Sequence, residues 1–250
     1  LFRSNRGIIV TIAGLGVNLA LGVLYAWGVI SAALIDKLGW SATQTQLPYM
    51  MACACFALSM VPGGRLQDKY GPRPIIMGSA ILAGIGFFMA GATLTVVGLT
   101  LFFGLVFGIG MGMGYAAPTP AAVKWFGPEK RGLISGIVVS GFGLAPIYIA
   151  PLTSNLISRF GLQTTFYALG GLFFVVIMSL AQLISNPPAG HTHSAPKVAR
   201  AISGSGRDYA AKDMLRTSQF YAVWGMFCFG TFAGLLIIGQ LSKIGMEQAG

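Results

Sequence analysis

Charge is scarce in this sequence. Only 9% of its 250 residues are Asp, Glu, Lys or Arg, against roughly a quarter in an ordinary soluble domain. Its 16 basic and 6 acidic side chains cannot coat a soluble domain of this size, which excludes a water-soluble globule before any motif is read. Cysteine is scarce too. Cys53 and Cys55 lie two apart on an expected helix and point to different sides, and Cys228 is far away. That offers neither a disulfide framework nor a metal set. The two histidines, His191 and His193, have no thiolate or carboxylate companions. No Ser-His-Asp pattern or phosphate loop is present, and the glycines do not follow a strand. An enzyme, a cofactor and a metal are therefore not expected.

What is abundant is apolar. Hydrophobic residues make up 55% of the chain and Gly numbers 36, and Gly is commoner in membrane helices than in soluble ones. A spanning helix needs about 20 mostly apolar residues, because lipid offers no partner to unpaired backbone groups. Seven stretches qualify: 8–33, 44–64, 74–93, 97–122, 132–156, 163–185 and 218–241. None has an Asp, Glu, Lys or Arg in its interior. The first is too long for a signal-peptide core, and no cleavage site follows it. The lengths are too great for barrel strands, whose alternation is also missing. The pattern predicts an all-α polytopic membrane protein in contact with lipid.

The net charge of +10 then acquires a location. Lys37, Arg159 and Lys243 fall in one set of connections. The other basic residues, from Arg3 and Arg6 through Arg65, Lys69, Arg73, Lys124, Lys130 and Arg131 to Arg216, fall in the opposite set. Basic residues accumulate on the cytoplasmic side, so the amino terminus, the 2–3 and 4–5 connections and the long 6–7 connection are expected there. The excess is a topology signal, and no nucleic-acid partner is implied. Residues 1–185 are expected to form a six-helix bundle, 186–217 a Pro-, Gly- and Ser-rich cytoplasmic linker, and 218–250 helix 7 with the start of a second bundle. The start at Leu1 and the apolar run before Gly250 give the expectation of part of a longer polypeptide.

Between spans 2 and 3 stands Gly64-Arg65-Leu66-Gln67-Asp68-Lys69-Tyr70-Gly71-Pro72-Arg73. As a loop, Gly71 would allow a tight turn, Pro72 and Pro74 would stiffen it, and Asp68 could make charge-assisted contacts with Lys69 and Arg73 nearby. This string resembles the major facilitator signature G-x-L-x-D-x-x-G-x-R/K, at the place where that family carries it. Phe160-Gly161-Leu162-Gln163-Thr164-Thr165-Phe166 resembles the family's entry to helix 6, with Gln163 where Arg is common. Three further passages narrow the resemblance to the monocarboxylate transporter and oxalate–formate antiporter branch. These are Gly22-Val23-Leu24-Tyr25-Ala26-Trp27, then Lys124-Trp125-Phe126-Gly127-Pro128-Glu129-Lys130-Arg131-Gly132, and Met214-Leu215-Arg216-Thr217-Ser218-Gln219-Phe220 with Trp224.

The resemblance implies a major facilitator fold of two six-helix bundles rocking around a central site. This chain would hold the first bundle and the first helix of the second. It implies a gating role for Gly64, Asp68, Gly71 and Arg73, and a helix 5 hinge at Gly141, Gly143 and Pro146. It also places a helix 4 tyrosine, here Tyr115, at the carboxylate site. The residues alone add Asn18 and Tyr25, which share a face of helix 1 with Gly14. A hydroxyl inside a bundle needs a partner, which a backbone carbonyl or a small carboxylate can supply. Leu24 and Leu144 are candidate apolar walls, and Gln240 a polar candidate in helix 7. The glycines of helix 4 (Gly104, Gly108 and Gly112) fit helix packing better than ligand binding. No cation in these helices can meet an anion, so the resemblance implies an Arg in helix 8 and a Lys or its equivalent in helix 11.

The expected function is proton-coupled transport of a small monocarboxylate such as lactate, by a carrier acting as a monomer in the plasma membrane. The alternatives are an oxalate–formate type antiporter, a half-length carrier working as a dimer, and a receptor that kept the fold without transport.

Overall fold

The computed structural model describes residues 2–188 and 211–232, with side chains for 6–188 and 213–232. The chain divides into two units, Leu1–Ala195 and Pro196–Gly250. Every regular element among the described residues is a helix, the form that satisfies its own backbone in lipid. Helix 1 is Arg6–Leu38, helix 2 Ala42–Tyr70, helix 3 Pro72–Thr93 and helix 4 Val96–Val123. One turn at Pro128–Lys130 follows. Helices 5 and 6 then share the stretch Arg131–Leu183, broken at Gly161, where φ is +80°. We number them 131–160 and 162–183. In the second unit a short helix, Ala211–Met214, precedes helix 7, which is helical over 218–232. The remainder of its expected span lies outside the described residues, as do Gln240, His191 and His193.

The largest departure from expectation is the signature segment. Gly64–Tyr70 is not a loop but the end of helix 2, and Gly71 alone makes the turn, at φ +86°. Pro62, Gly63 and Gly64 look like a helix stop. In lipid, however, an ended helix would strand its carbonyls, so helix 2 continues to the first residue with left-handed φ. Pro72 then opens helix 3, where a missing N–H costs nothing. At its other end helix 2 starts on a capping box. Ser41 Oγ accepts from Gln44 N at 3.2 Å while Ser41 N donates to Gln44 Oε1 at 2.9 Å, satisfying two donors that a helix start leaves orphaned.

Two kinds of contact build the bundle. Helices 3, 4 and 6 meet in a phenylalanine core, where Phe87 lies 4.9–5.9 Å from the rings of Phe103, Phe107, Phe166 and Phe173. Helices 2 and 4 meet through glycine. A Cβ on Gly104 would lie 3.1 Å from Pro48 O, and one on Gly108 2.9 Å from Ala52 O. Small residues let two backbones approach this closely, so these glycines are packing points.

Helices 1 and 5 use the same device from both sides. A Cβ on Gly22 would sit 2.7 Å from Phe142 O, and one on Gly141 would collide with Leu15 O. Pro146 removes the N–H that would otherwise take the Phe142 carbonyl. Even so, the chain stays helical through Pro146 and Pro151.

Candidate functional site

Helix 1 does not run straight. At Gly22–Ala26 it tightens into a 3₁₀ turn, a local change that often marks a hinge or a functional segment. Trp27 anchors the far side of that turn. Its Nε1 donates to Thr45 O at 3.1 Å, and its ring stacks on Phe103 at 4.6 Å. Between the Gly22 contact and the Trp27 anchor, Tyr25 is half-buried and turned toward helix 5. There its ring meets Phe142 edge-on at 5.3 Å. Tyr115 of helix 4 meets the same Phe142 at 5.1 Å. Phe56 of helix 2 completes the group, 5.4 Å from Tyr115 and 5.8 Å from Phe142. Four helices thus converge on one aromatic cluster, and Tyr25 and Tyr115, expected from sequence to serve a site, are both in it.

The hydroxyls decide what the cluster can do. A phenol in an apolar helix normally finds a carbonyl, and Tyr148, though on the exposed side of helix 5, does so, donating to Leu19 O at 2.9 Å. Tyr25 and Tyr115 make no hydrogen bond within the protein among the described residues; their contacts are through their rings. Tyr49 and Cys53 stand one helical turn apart on helix 2, close to Tyr25. The site therefore offers flat apolar walls with two uncommitted O–H donors, a surface suited to a small molecule carrying an acceptor and a short apolar body.

The other expected site residues are dispersed. Asn18 faces helix 5 with Tyr25, yet it is fully buried and its Nδ2 donates to Val138 O at 2.8 Å, leaving Oδ1 without a partner. Leu24 is packed in the core at 6% exposure. Leu144 is exposed, two residues from Phe142 and so on the far side of helix 5. Gly143 shares that open side, with nothing within 4 Å of a Cβ, whereas Gly141 is jammed against helix 1. The expected hinge glycines therefore occupy opposite environments.

At the basic end of the bundle the expected ion contacts are rearranged. Asp68 pairs with Lys124, the residue just past the end of helix 4, at 3.5 Å, and among the described residues neither Lys69 nor Arg73 is its partner. Lys69 lies over the Tyr70 ring at 5.0 Å. Arg73 Nε donates to Ile184 O at 3.0 Å, closing the end of helix 6, and Trp125 Nε1 donates to Ser185 O at 2.7 Å. Gly64 has open space before it. An ion pair this exposed is worth about 0–1 kcal/mol, so its value is in fixing one arrangement of helix ends.

Sequence reasoning missed Phe56, Phe142, Tyr49 and Gln67. Gln67 is 1% exposed, and both polar atoms of its amide lack a partner. A buried amide inside the signature was the visible signal for Gln67. Asp68–Lys124 could have been anticipated, since alternation of spans brings the end of helix 2 and the end of helix 4 to the same side.

The sequence profile of the Major Facilitator Superfamily matches residues 8–248. The chain belongs to that superfamily. It is a multi-pass facilitator chain, and its relatives are transporters. It is 29% identical over 230 residues to the Uncharacterized MFS-type transporter YhjX of Escherichia coli, covering 92% of this chain and 56% of that protein. It is 31% identical over 238 residues to the Oxalate:formate antiporter of Oxalobacter formigenes, covering 94% of this chain and 54% of that one. With Monocarboxylate transporter 13 of Rattus norvegicus it shares 27% over 162 residues, 65% of this chain and 36% of the other. The facilitator chain thus spans about half the length of the first two.

Proposed function

We propose that this chain supplies the first bundle, and the opening of the second, of a secondary transporter for small monocarboxylates such as lactate. Transport would be coupled to protons and proceed by alternating access. The observation that carries the reading is the pair of uncommitted phenol hydroxyls of Tyr25 and Tyr115, set in an aromatic wall formed by four helices. A carboxylate accepts from both hydroxyls while its short carbon body lies on Phe56 and Phe142. The charge of the anion requires a cation, because an unpaired charge at mid-membrane costs several kcal/mol. We place that cation in the second bundle. The basic end faces the cytoplasm of a plasma-membrane protein. There Gly64, Asp68, Gly71 and Arg73 form a gate, and the Asp68–Lys124 pair is made in one state and released in another. Gly141, Gly143 and Pro146 form the helix 5 hinge.

A second reading has its own support. The likeness to the Oxalate:formate antiporter extends over 94% of the chain, which favours exchange of one carboxylate for another. Oxalate carries two charges and calls for two cations, whereas the apolar walls of this site favour a monoanion. Uptake of labelled lactate by the full-length protein in proteoliposomes separates the two. The proposal expects uptake that accelerates with an inward proton gradient. Gradient-insensitive uptake that requires internal oxalate overturns it, and binding without flux makes the protein a receptor.

A further inference from the structure

We infer that the outer seam between helices 3 and 6 is a binding site for one anionic phospholipid, its phosphate on Arg73 and one acyl chain in a groove deeper in the membrane. The groove has a volume of about 340 Å³ and is lined by Ile81, Gly84, Ile85 and Phe88 of helix 3 and by Gly171 and Phe174 of helix 6. Its sides are apolar and its floor is glycine. A Cβ on Gly84 would already lie 3.2 Å from Phe174, while a Cβ on Gly171 would meet nothing within 4 Å. The space is thus open on the Gly171 side. It is too small for a helix, whose side chains give it a diameter of ~10 Å, and it suits a single hydrocarbon chain.

The headgroup assignment comes from the same seam followed toward the basic end. Helix 3 presents Arg73, Met77, Gly84 and Phe88 along one face at helical spacing. Met77 Sδ lies 3.6 Å from Gln182 Nε2, closing the seam above the groove. One turn further, Arg73 spends only its Nε on Ile184 O. Arg73 is exposed, and its two terminal guanidinium nitrogens take no partner among the described residues, in the fork geometry that matches a phosphate. Arg73 stands eight residues from Ile81, a rise of about 12 Å. That is the reach from a phosphate in the headgroup layer to the upper part of an acyl chain. A cation at the interface attracts anionic lipid in preference to zwitterionic lipid, and the nearest acid of the signature, Asp68, is engaged by Lys124.

Native mass spectrometry of the full-length protein in detergent tests this, titrating with phosphatidylglycerol or phosphatidylcholine of identical chains. The expected result is one phosphatidylglycerol retained at least fivefold more strongly than phosphatidylcholine. Gly171→Leu fills the open groove without touching internal packing and should reduce retention of both lipids. Arg73→Gln keeps the groove and should remove only the preference for phosphatidylglycerol. Equal retention of the two lipids by the unmodified protein overturns the headgroup assignment. Unchanged retention in Gly171→Leu overturns the chain assignment. A dimer mass lost on Gly171→Leu overturns the whole inference, since the groove would then seat a second copy.

Discussion

Alanine at Gly141 and alanine at Gly143 should push stability in opposite directions, although the residues are two apart in one helix. At either position the new methyl favours the helix by up to ~1 kcal/mol relative to Gly. At Gly143 nothing lies within 4 Å of the methyl, so that gain stands alone. At Gly141 the methyl meets Leu15 O at once and sits 3.1 Å from both Leu19 N and Leu15 Cδ1. Two of these three atoms are helix 1 backbone, which cannot rotate away as a side-chain tip would. Overpacking costs typically ~1–3 kcal/mol, and a backbone neighbour puts this case at the upper end. The net expectation is a loss of ~1–2 kcal/mol for Gly141→Ala and a gain approaching ~1 kcal/mol for Gly143→Ala. Thermal unfolding of the full-length protein in detergent, followed by fluorescence-detected size exclusion, gives the two midpoints. A Gly141→Ala protein as stable as the parent would refute the close helix 1–helix 5 contact. Equal destabilisation by both substitutions would refute the assignment of Gly143 to an open side. The same variants test the hinge: a stable Gly143→Ala protein with slowed transport locates flexibility at Gly143, and normal transport removes it from the hinge.

The three tyrosines should separate by what their hydroxyls do. Tyr25→Phe and Tyr115→Phe keep their ring contacts and should leave the unfolding midpoint unchanged while weakening carboxylate binding by roughly tenfold, the loss of about one good hydrogen bond to a charged acceptor. Tyr148→Phe should do the reverse, losing ~1 kcal/mol with its bond to Leu19 O and leaving affinity intact; isothermal titration and unfolding on the same samples read both quantities. Gln67→Met should raise stability, because it replaces two buried unpartnered polar atoms, each costing ~1–3 kcal/mol, with an apolar chain of similar length. A lowered midpoint would mean that the amide is in fact engaged.

The spans were readable because lipid imposes one rule on every segment, that about 20 residues must satisfy their own backbone and carry little charge. The same rule explains the boundary that moved most, the end of helix 2, since Pro62, Gly63 and Gly64 signal an ending in water and do not in a membrane. Tyr25 and Tyr115 could be picked out because a hydroxyl in an apolar run stands apart from its neighbours. Phe56 and Phe142 could not, since a phenylalanine suits the lipid face, the core and a ligand wall equally well. Only the meeting of helices 2 and 5 around the two tyrosines assigns these rings.

The sequence also could not rank the tyrosines against one another, and the ranking carries the functional argument. Tyr25, Tyr115 and Tyr148 are alike in composition and context, each a phenol in a hydrophobic helix. What differs is whether a neighbouring helix turns a carbonyl toward the ring. Leu19 does so for Tyr148, across a helix 1–helix 5 contact made close by Gly22 and Gly141. Tyr25 and Tyr115 instead face Phe142, whose ring has no acceptor of comparable strength. The glycines that bring helices 1 and 5 together therefore do two things at once: they satisfy one phenol and place an aromatic ring between the other two. Neither of these hydroxyls is among the buried unpartnered polar atoms of the described residues, so both stay accessible to an incoming acceptor. A ligand with a charged acceptor would engage both, and that open pair is what supports the proposal of a carboxylate site at the cluster.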